Sequence, residues 1–191
     1  MTDIIVKDNF LPLDYFLNFK KLVTTTAFDW HLTEVLSTPK LDGPFSFLLD
    51  KSISNKNPSD DKLNYECDDI DNYQFTHVFY GNNIPQSGYY QEYITPFIKL
   101  LNIKSMLRAK INLNPKTEKN IFHGFHTDNY LDGPFTSILY FNNTDGYTEF
   151  KNGKKVQDVE NRLVTFPSHH YHSGNTCTNN SYRIVLNLNY F

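Results

Sequence analysis

Two segments in the C-terminal part of the chain alternate so strictly that few folds remain open to it. In "LRAKINLN" (107–114), Arg108, Lys110, Asn112 and Asn114 fall on one face, and Leu107, Ala109, Ile111 and Leu113 on the other. In "YRIVLNLNYF" (182–191), Arg183, Val185, Asn187 and Asn189 share a face. Successive side chains of a strand point to opposite sides, so each segment reads as a strand with one polar and one apolar surface. Such strands fit a barrel with a wet interior and an apolar outside covered by helices.

The sequence supplies that cover. "LDYFLNFKKLVTT" (13–25) spaces Phe16, Phe19, Leu22 and Val23 along one side of a helix, with Asp14 near its start. "GYYQEYITPFIKLLNI" (88–103) predicts a second helix, bent near Pro96. "IIVKDNFLP" reads as a short strand and a turn, and "YQFTHVFY" (73–80) as a strand. "FTSILYFN" and "NRLVTFP" are further strands, and "YTEFKNGKKVQDV" is a hairpin turning at Asn152-Gly153. The polar, acid-rich stretch 50–72 reads as a surface loop. Helices come first and antiparallel strands second, which predicts an α+β, mostly β fold. The 16 Phe and 13 Tyr favour strands as well. We read 1–191 as one domain, with helices and supporting strands in 1–104 and the motif-bearing half of the barrel in 105–191.

The formal net charge of −3 provides no basic field, which argues against nucleic acid or an anionic membrane surface as partner. No run reaches the roughly 18 apolar residues of a membrane span, and "MTDIIVKDNFLP" lacks the basic and apolar regions of a signal peptide. Cys67 and Cys177 form no Cys-x-x-Cys, so two free thiols in a reducing, cytoplasmic setting are expected.

The chemistry is concentrated in "HGFHTDNYLDGPFTSILYFNN" (123–143). His126 and Asp128 are two apart, so on an extended segment both point the same way and can meet one cation. A third ligand is available from His169, His170 or His172 in "FPSHHYHSGN". Two imidazoles and one carboxylate on one face of an octahedral ion, with three positions open, suit non-haem Fe(II) chemistry with dioxygen. A structural zinc site would call for thiolates in a closed shell, and no cysteine pair is present. By itself His-x-Asp is weak, because such short motifs arise by chance.

The ordered series "HTD", "TSILYFN", "NRLVTFPSHHYHSG" and "YRIVLNLNYF" resembles the iron(II)- and 2-oxoglutarate-dependent oxygenases. The branch it resembles holds the prolyl hydroxylases and their relatives, many of them phage-encoded. The resemblance covers about residues 105 to 191, with fainter likeness at "VKDNFLP" and "FDW". It implies a double-stranded β-helix, or jelly roll, with N-terminal supporting helices. It implies Fe(II), 2-oxoglutarate as co-substrate and O2, with ascorbate as an optional reductant. The implied activity is that of a dioxygenase that hydroxylates a C–H bond and releases succinate and CO2. The substrate class it implies is a peptide or protein side chain or a small metabolite.

Carried over by position, His126 and Asp128 match the first two iron ligands. His172, followed by Ser173 and Gly174, fits the third; His170 shares its parity and rivals it, and His169 is a further candidate. Arg183, eleven residues beyond His172, matches the arginine that holds the far carboxylate of the co-substrate. A guanidinium suits that task because it binds a carboxylate through two hydrogen bonds. Tyr140 matches a tyrosine that shares this carboxylate. Asn114 stands where that branch has a tyrosine, a departure, and Asn112 on the same face is an equal candidate for contact with the keto-acid end. Arg108 and Lys110 would bind substrate or border the barrel mouth. His123 reads as a loop residue, His31 and His77 as packed or exposed side chains, Glu149 as structural and Trp30 as core. Two other readings stay open: a metal-binding jelly roll without catalysis, and a structural or interaction protein with incidental histidines.

Overall fold

The computed structural model describes residues 4–33 and 73–191; the expected 50–72 loop and Cys67 lie outside the described residues. In chain order the elements are β1 (Ile5–Lys7), α1 (Leu13–Val23), β2 (His31–Thr33), β3 (Gln74–Gly81), β4 (Ile84–Pro85), α2 (Tyr90–Tyr93), α3 (Thr95–Leu100), β5 (Met106–Pro115), β6 (Phe135–Tyr140), β7 (Tyr147–Phe150), β8 (Lys155–Gln157), β9 (Leu163–Pro167), β10 (His172–Ser173) and β11 (Tyr182–Tyr190).

The strands form two antiparallel sheets. The larger runs β1-β9-β6-β11-β5-β3-β2, with β4 on β3, and the smaller runs β10-β7-β8. Isolated bridges Phe122↔Asn175 and His126↔His172 add the segment before β6 to the free edge of the small sheet. One apolar cluster joins the sheets face to face. Ile138, Tyr140, Val164, Phe166 and Val185 come from the large sheet and Phe150 and Val156 from the small one. The protein is a mostly β jelly roll.

The outer face of the large sheet carries the helices. The stripe of α1 is fully buried at Phe16, Phe19 and Val23, as an amphipathic helix requires. The Phe19 ring meets those of Phe79 and Phe141 at centroid distances of 5.8 and 5.0 Å. Asp14 in the first turn and Lys20 and Lys21 in the last suit the helix dipole. The predicted second helix is two pieces. Chain order breaks at Ile94, just before Thr95-Pro96, because proline has no N–H to continue the ladder. Ile94 and Phe97 are both fully buried in the same core, and the Tyr15 hydroxyl ties α1 to this segment by donating to Tyr93 O at 2.8 Å.

Strand β11 sits between β5 and β6, so its two faces look in opposite directions. Ile184, Leu186 and Leu188 join Ala109 and Ile111 in the helix-backed core. Arg183, Val185, Asn187 and Asn189 stand opposite Asn114, Asn112, Lys110 and Arg108, on the face that closes over the small sheet. The alternation read from the sequence is the division between helix-backed core and barrel interior.

Candidate active site

His126 reaches the interior through the small sheet. Its backbone exchanges two hydrogen bonds with His172, each 2.9 Å, so the two residues form a directly opposed antiparallel pair with side chains on one side. Their rings lie 4.5 Å apart. Asp128 follows two residues on, its N–H donating to Ser168 O at 3.1 Å. Ligand atoms of His126, Asp128 and His172 all fall within 4.8 Å of one another, which is the spacing of groups that could share one metal ion.

The neighbours fix each candidate ligand. His172 Nδ1 lies 3.0 Å from His170 O. A proton there leaves Nε2, the nitrogen 3.7 Å from Asp128 Oδ2, with its lone pair inward. Asp128 accepts from Arg108 at 3.0 Å, Thr136 Oγ1 at 2.8 Å and Asn189 Nδ2 at 3.0 Å. Burial alone would raise its pKa, but His172, Arg108 and His126 outweigh that and hold the carboxyl below its usual range. Burial and the neighbouring His172 push His126 down to about 4, against the pull of Asp128. At neutral pH His126 therefore stands as a neutral imidazole and Asp128 as a carboxylate, the forms that bind a divalent ion.

Of the rival histidines, His170 contributes its carbonyl to His172, and His169 Nδ1 lies 3.3 Å from Asp132. Neither belongs to the three-residue cluster. His77 is packed, its ring nitrogens bonded to Asp29 O and Ser87 Oγ at 2.9 and 2.8 Å, and His31 lies in β2. Glu149 pairs with Lys155 at 3.4 Å. Trp30 is only partly buried against the core, with its indole N–H on Val23 O at 3.2 Å.

Arg183 lies deep in the barrel, 3% exposed. It does not stand alone: its Nε and NH2 donate to Asp158 Oδ2 and Oδ1 at 2.6 and 2.9 Å. The Tyr140 ring lies 5.7 Å from its guanidinium carbon, while the Tyr140 hydroxyl donates to Thr148 Oγ1 at 2.7 Å. Asn114 is the cross-strand neighbour of Arg183, and Asn112 that of Val185. Asn114 Nδ2, Asn112 Oδ1 and His123 Nε2 are buried without a hydrogen-bond partner among the described residues. Such atoms are costly unless something satisfies them, and a polar ligand between the triad and Arg183 would do so. The donor set and these unpaired atoms fit a divalent ion with a small polar co-substrate beside it.

His123 lies in a loop, as read, and outside the three-residue cluster, but it is only 6% exposed, with burial, Arg183 and His126 pushing it down to about 3. Asp158 carried no sequence signal. It follows β8 at the start of what reads as a polar turn, and only the closure of the small sheet brings it to Arg183. Lys110, on the same face as Arg108, is pushed down to about 8 by burial and by Arg108, against the attraction of Asp128.

No protein-family model and no curated protein matches the sequence. Solved structures do match in fold. A prolyl-4-hydroxylase from Pseudomonas putida superposes with a TM-score of 0.58 at 12% identity, covering 100% of this chain and 93% of that one. A prolyl hydroxylase from Trichoplax adhaerens, in complex with a peptide fragment of the hypoxia inducible factor oxygen degradation domain, gives 0.58 at 14% identity, covering 98% and 83%. In fold, this chain is a jelly roll of the kind found in these prolyl hydroxylases.

Proposed function

We infer that the protein is an Fe(II)- and 2-oxoglutarate-dependent oxygenase that hydroxylates a C–H bond. The observation that carries the reading is the convergence of His126, Asp128 and His172 within 4.8 Å at the inner face of a jelly roll. When bound, the iron would bring O2 and the keto acid together, one oxygen atom entering the substrate and the other the succinate formed with CO2.

The chain's own residues supply orientation and shelter. His170 O and Arg108, Thr136 and Asn189 hold the ligands in place before any ion arrives. Phe150 and Phe166 pack close to the His172 ring, at 6.3 and 4.7 Å, and shield it from water. Asn112, Asn114 and His123 are the atoms we assign to the co-substrate, with Arg183 and Tyr140 at its far end. Arg108 is the more open of the pair with Asp128, at 40% side-chain exposure against 8%, so the substrate would approach from its side, past Arg108 and Lys110. A peptide is the substrate class we favour, since one structural neighbour was solved holding one; a small metabolite is the alternative.

A second reading, a metal-binding jelly roll without keto-acid chemistry, draws on the pairing of Arg183 with Asp158. Thermal unfolding with Mn(II), with and without 2-oxoglutarate, separates the two. The oxygenase reading expects a rise in Tm with Mn(II) and a further rise with 2-oxoglutarate that requires Mn(II). A rise with Mn(II) alone favours the second reading, and no rise at all defeats both. Succinate formation over a panel of peptides then tests the substrate.

A further inference from the structure

The pairing of Arg183 is built into the fold. Besides the two bonds from Arg183, Asp158 Oδ2 accepts from Thr144 Oγ1 at 2.7 Å. Thr144 Oγ1 in turn accepts from Gly146 N at 3.0 Å, and Asp158 N donates to Gly146 O at 3.1 Å. A methyl group at Gly146 would lie 2.9 Å from Arg183 Cδ, Arg183 Nε and Asp158 Oδ2, so the loop leaves room for the pair and for nothing larger. The side chains are 3% and 1% exposed. Asp158 thus covers one edge of the guanidinium, the Nε side, with the bidentate geometry a free carboxylate would adopt. NH1 is left beside Gly174, where a methyl would sit 3.3 Å away.

We propose that Asp158 is a specificity-determining residue: a resident carboxylate on Arg183 that removes most of the advantage of a second carboxylate on the co-substrate. The proposal rests on the oxygenase reading. A buried pair of opposite charges presents no net charge to a ligand, so the attraction that an unshared arginine would exert on a dicarboxylate is already spent within the protein. Asn114 and Asn112, the cross-strand neighbours of Arg183 and Val185, are neutral amides and add no charge that would attract a second carboxylate. The pocket would hold 2-oxo acids chiefly through their chelating end and discriminate little between charged and uncharged tails.

The test is calorimetric titration of the Mn(II)-loaded full chain with 2-oxoglutarate and with 2-oxopentanoate, which has the same carbon chain without the second carboxylate. An unshared arginine contact would favour the dicarboxylate by roughly ten- to hundredfold. The wild type is expected to favour it by less than about tenfold, and Asp158→Asn to move the preference above about tenfold by tightening 2-oxoglutarate alone. A wild-type preference of about tenfold or more overturns the proposal whether or not the variant folds. So does an Asp158→Asn protein that binds Mn(II) as before but 2-oxoglutarate no tighter, since Asp158 would then merely hold Arg183 in position. Binding of Mn(II) with neither acid overturns the keto-acid reading itself, and this proposal with it.

Discussion

The two faces of the large sheet are made by the same strands and obey opposite rules. On the outer face, Ile184, Leu186, Leu188, Ala109 and Ile111 meet the helices in a core of aromatic and aliphatic side chains. On the inner face the same strands present Arg183, Asn189, Asn112, Asn114 and Arg108, and some of the buried polar atoms there lack partners among the described residues. A face that only had to stabilise the fold would not leave them so, because each unsatisfied buried atom costs about 1–3 kcal/mol. The outer face holds the structure together, and the inner face carries polar atoms that weaken the fold unless something satisfies them. The difference can be broken experimentally, face by face.

The largest effects separate folding from binding outright. Phe19→Ala removes a fully buried ring that touches Phe79, Tyr93 and Phe141. It should cost about 3–5 kcal/mol in urea unfolding while the remaining folded protein binds Mn(II) as before. His126→Ala should do the reverse: little change in the Tm of the metal-free protein and complete loss of the Mn(II)-induced rise. If His126→Ala keeps that rise, the inner face is not the metal site.

Next comes the acid response of His123. Its folded pKa is about 3, below the ordinary value of 6.5, with burial as the main cause and Arg183 and His126 adding to it. The unfolded chain therefore takes up a proton first as the pH falls. Stability from this group is complete above about pH 6.5 and is lost as the pH drops from there toward 3. Metal-free wild type should lose up to about 1.4 kcal/mol per pH unit on this account, and His123→Gln should flatten the slope. Equal slopes in urea unfolding at pH 7.5 and 5 would show that His123 is hydrated in the folded protein.

A smaller effect is expected at Arg108, whose Nε donates to Asn189 Oδ1 at 2.9 Å while its NH2 donates to Asp128. Arg108→Ala frees Asp128 from one of its supports, so Mn(II) affinity should fall roughly tenfold to hundredfold by calorimetry. An unchanged affinity would mean that Thr136 and Asn189 place Asp128 unaided.

These outcomes bear on how far the sequence could be read. The faces of β5 and β11 were legible because a period of two survives any tertiary context, and α1 because its stripe is wide. The two-residue strands β4 and β10 and the three-residue β2 were not, since so short a segment has no period to detect. Parity alone could not separate His170 from His172; the backbone bridge to His126 does, and a bridge between distant segments leaves no local trace. Asp158 was hidden for the same reason. His123 lies in a loop, as read, but its burial was not legible, because it depends on a distant contact: its N–H donates to Gly174 O at 3.1 Å.

The smallest effect belongs back on the outer side. Lys20, in the last turn of α1, pairs with Glu160 across the molecule, and both side chains are 31% exposed. Holding two long side chains together in water costs entropy that nearly offsets their attraction, so such pairs contribute about 0.2–1 kcal/mol. Lys20→Ala should therefore lower stability by less than about 1 kcal/mol, and the loss should shrink further in roughly 1 M salt, where the screening length falls to about 3 Å. If the outer face draws its strength from apolar contact alone, this variant and Phe19→Ala should differ several-fold in urea unfolding at low salt. A Lys20→Ala loss that approached the Phe19→Ala value and persisted in salt would mean that α1 is held to the sheet by charge as much as by its buried stripe, and the contrast between the faces would no longer be one of apolar against polar.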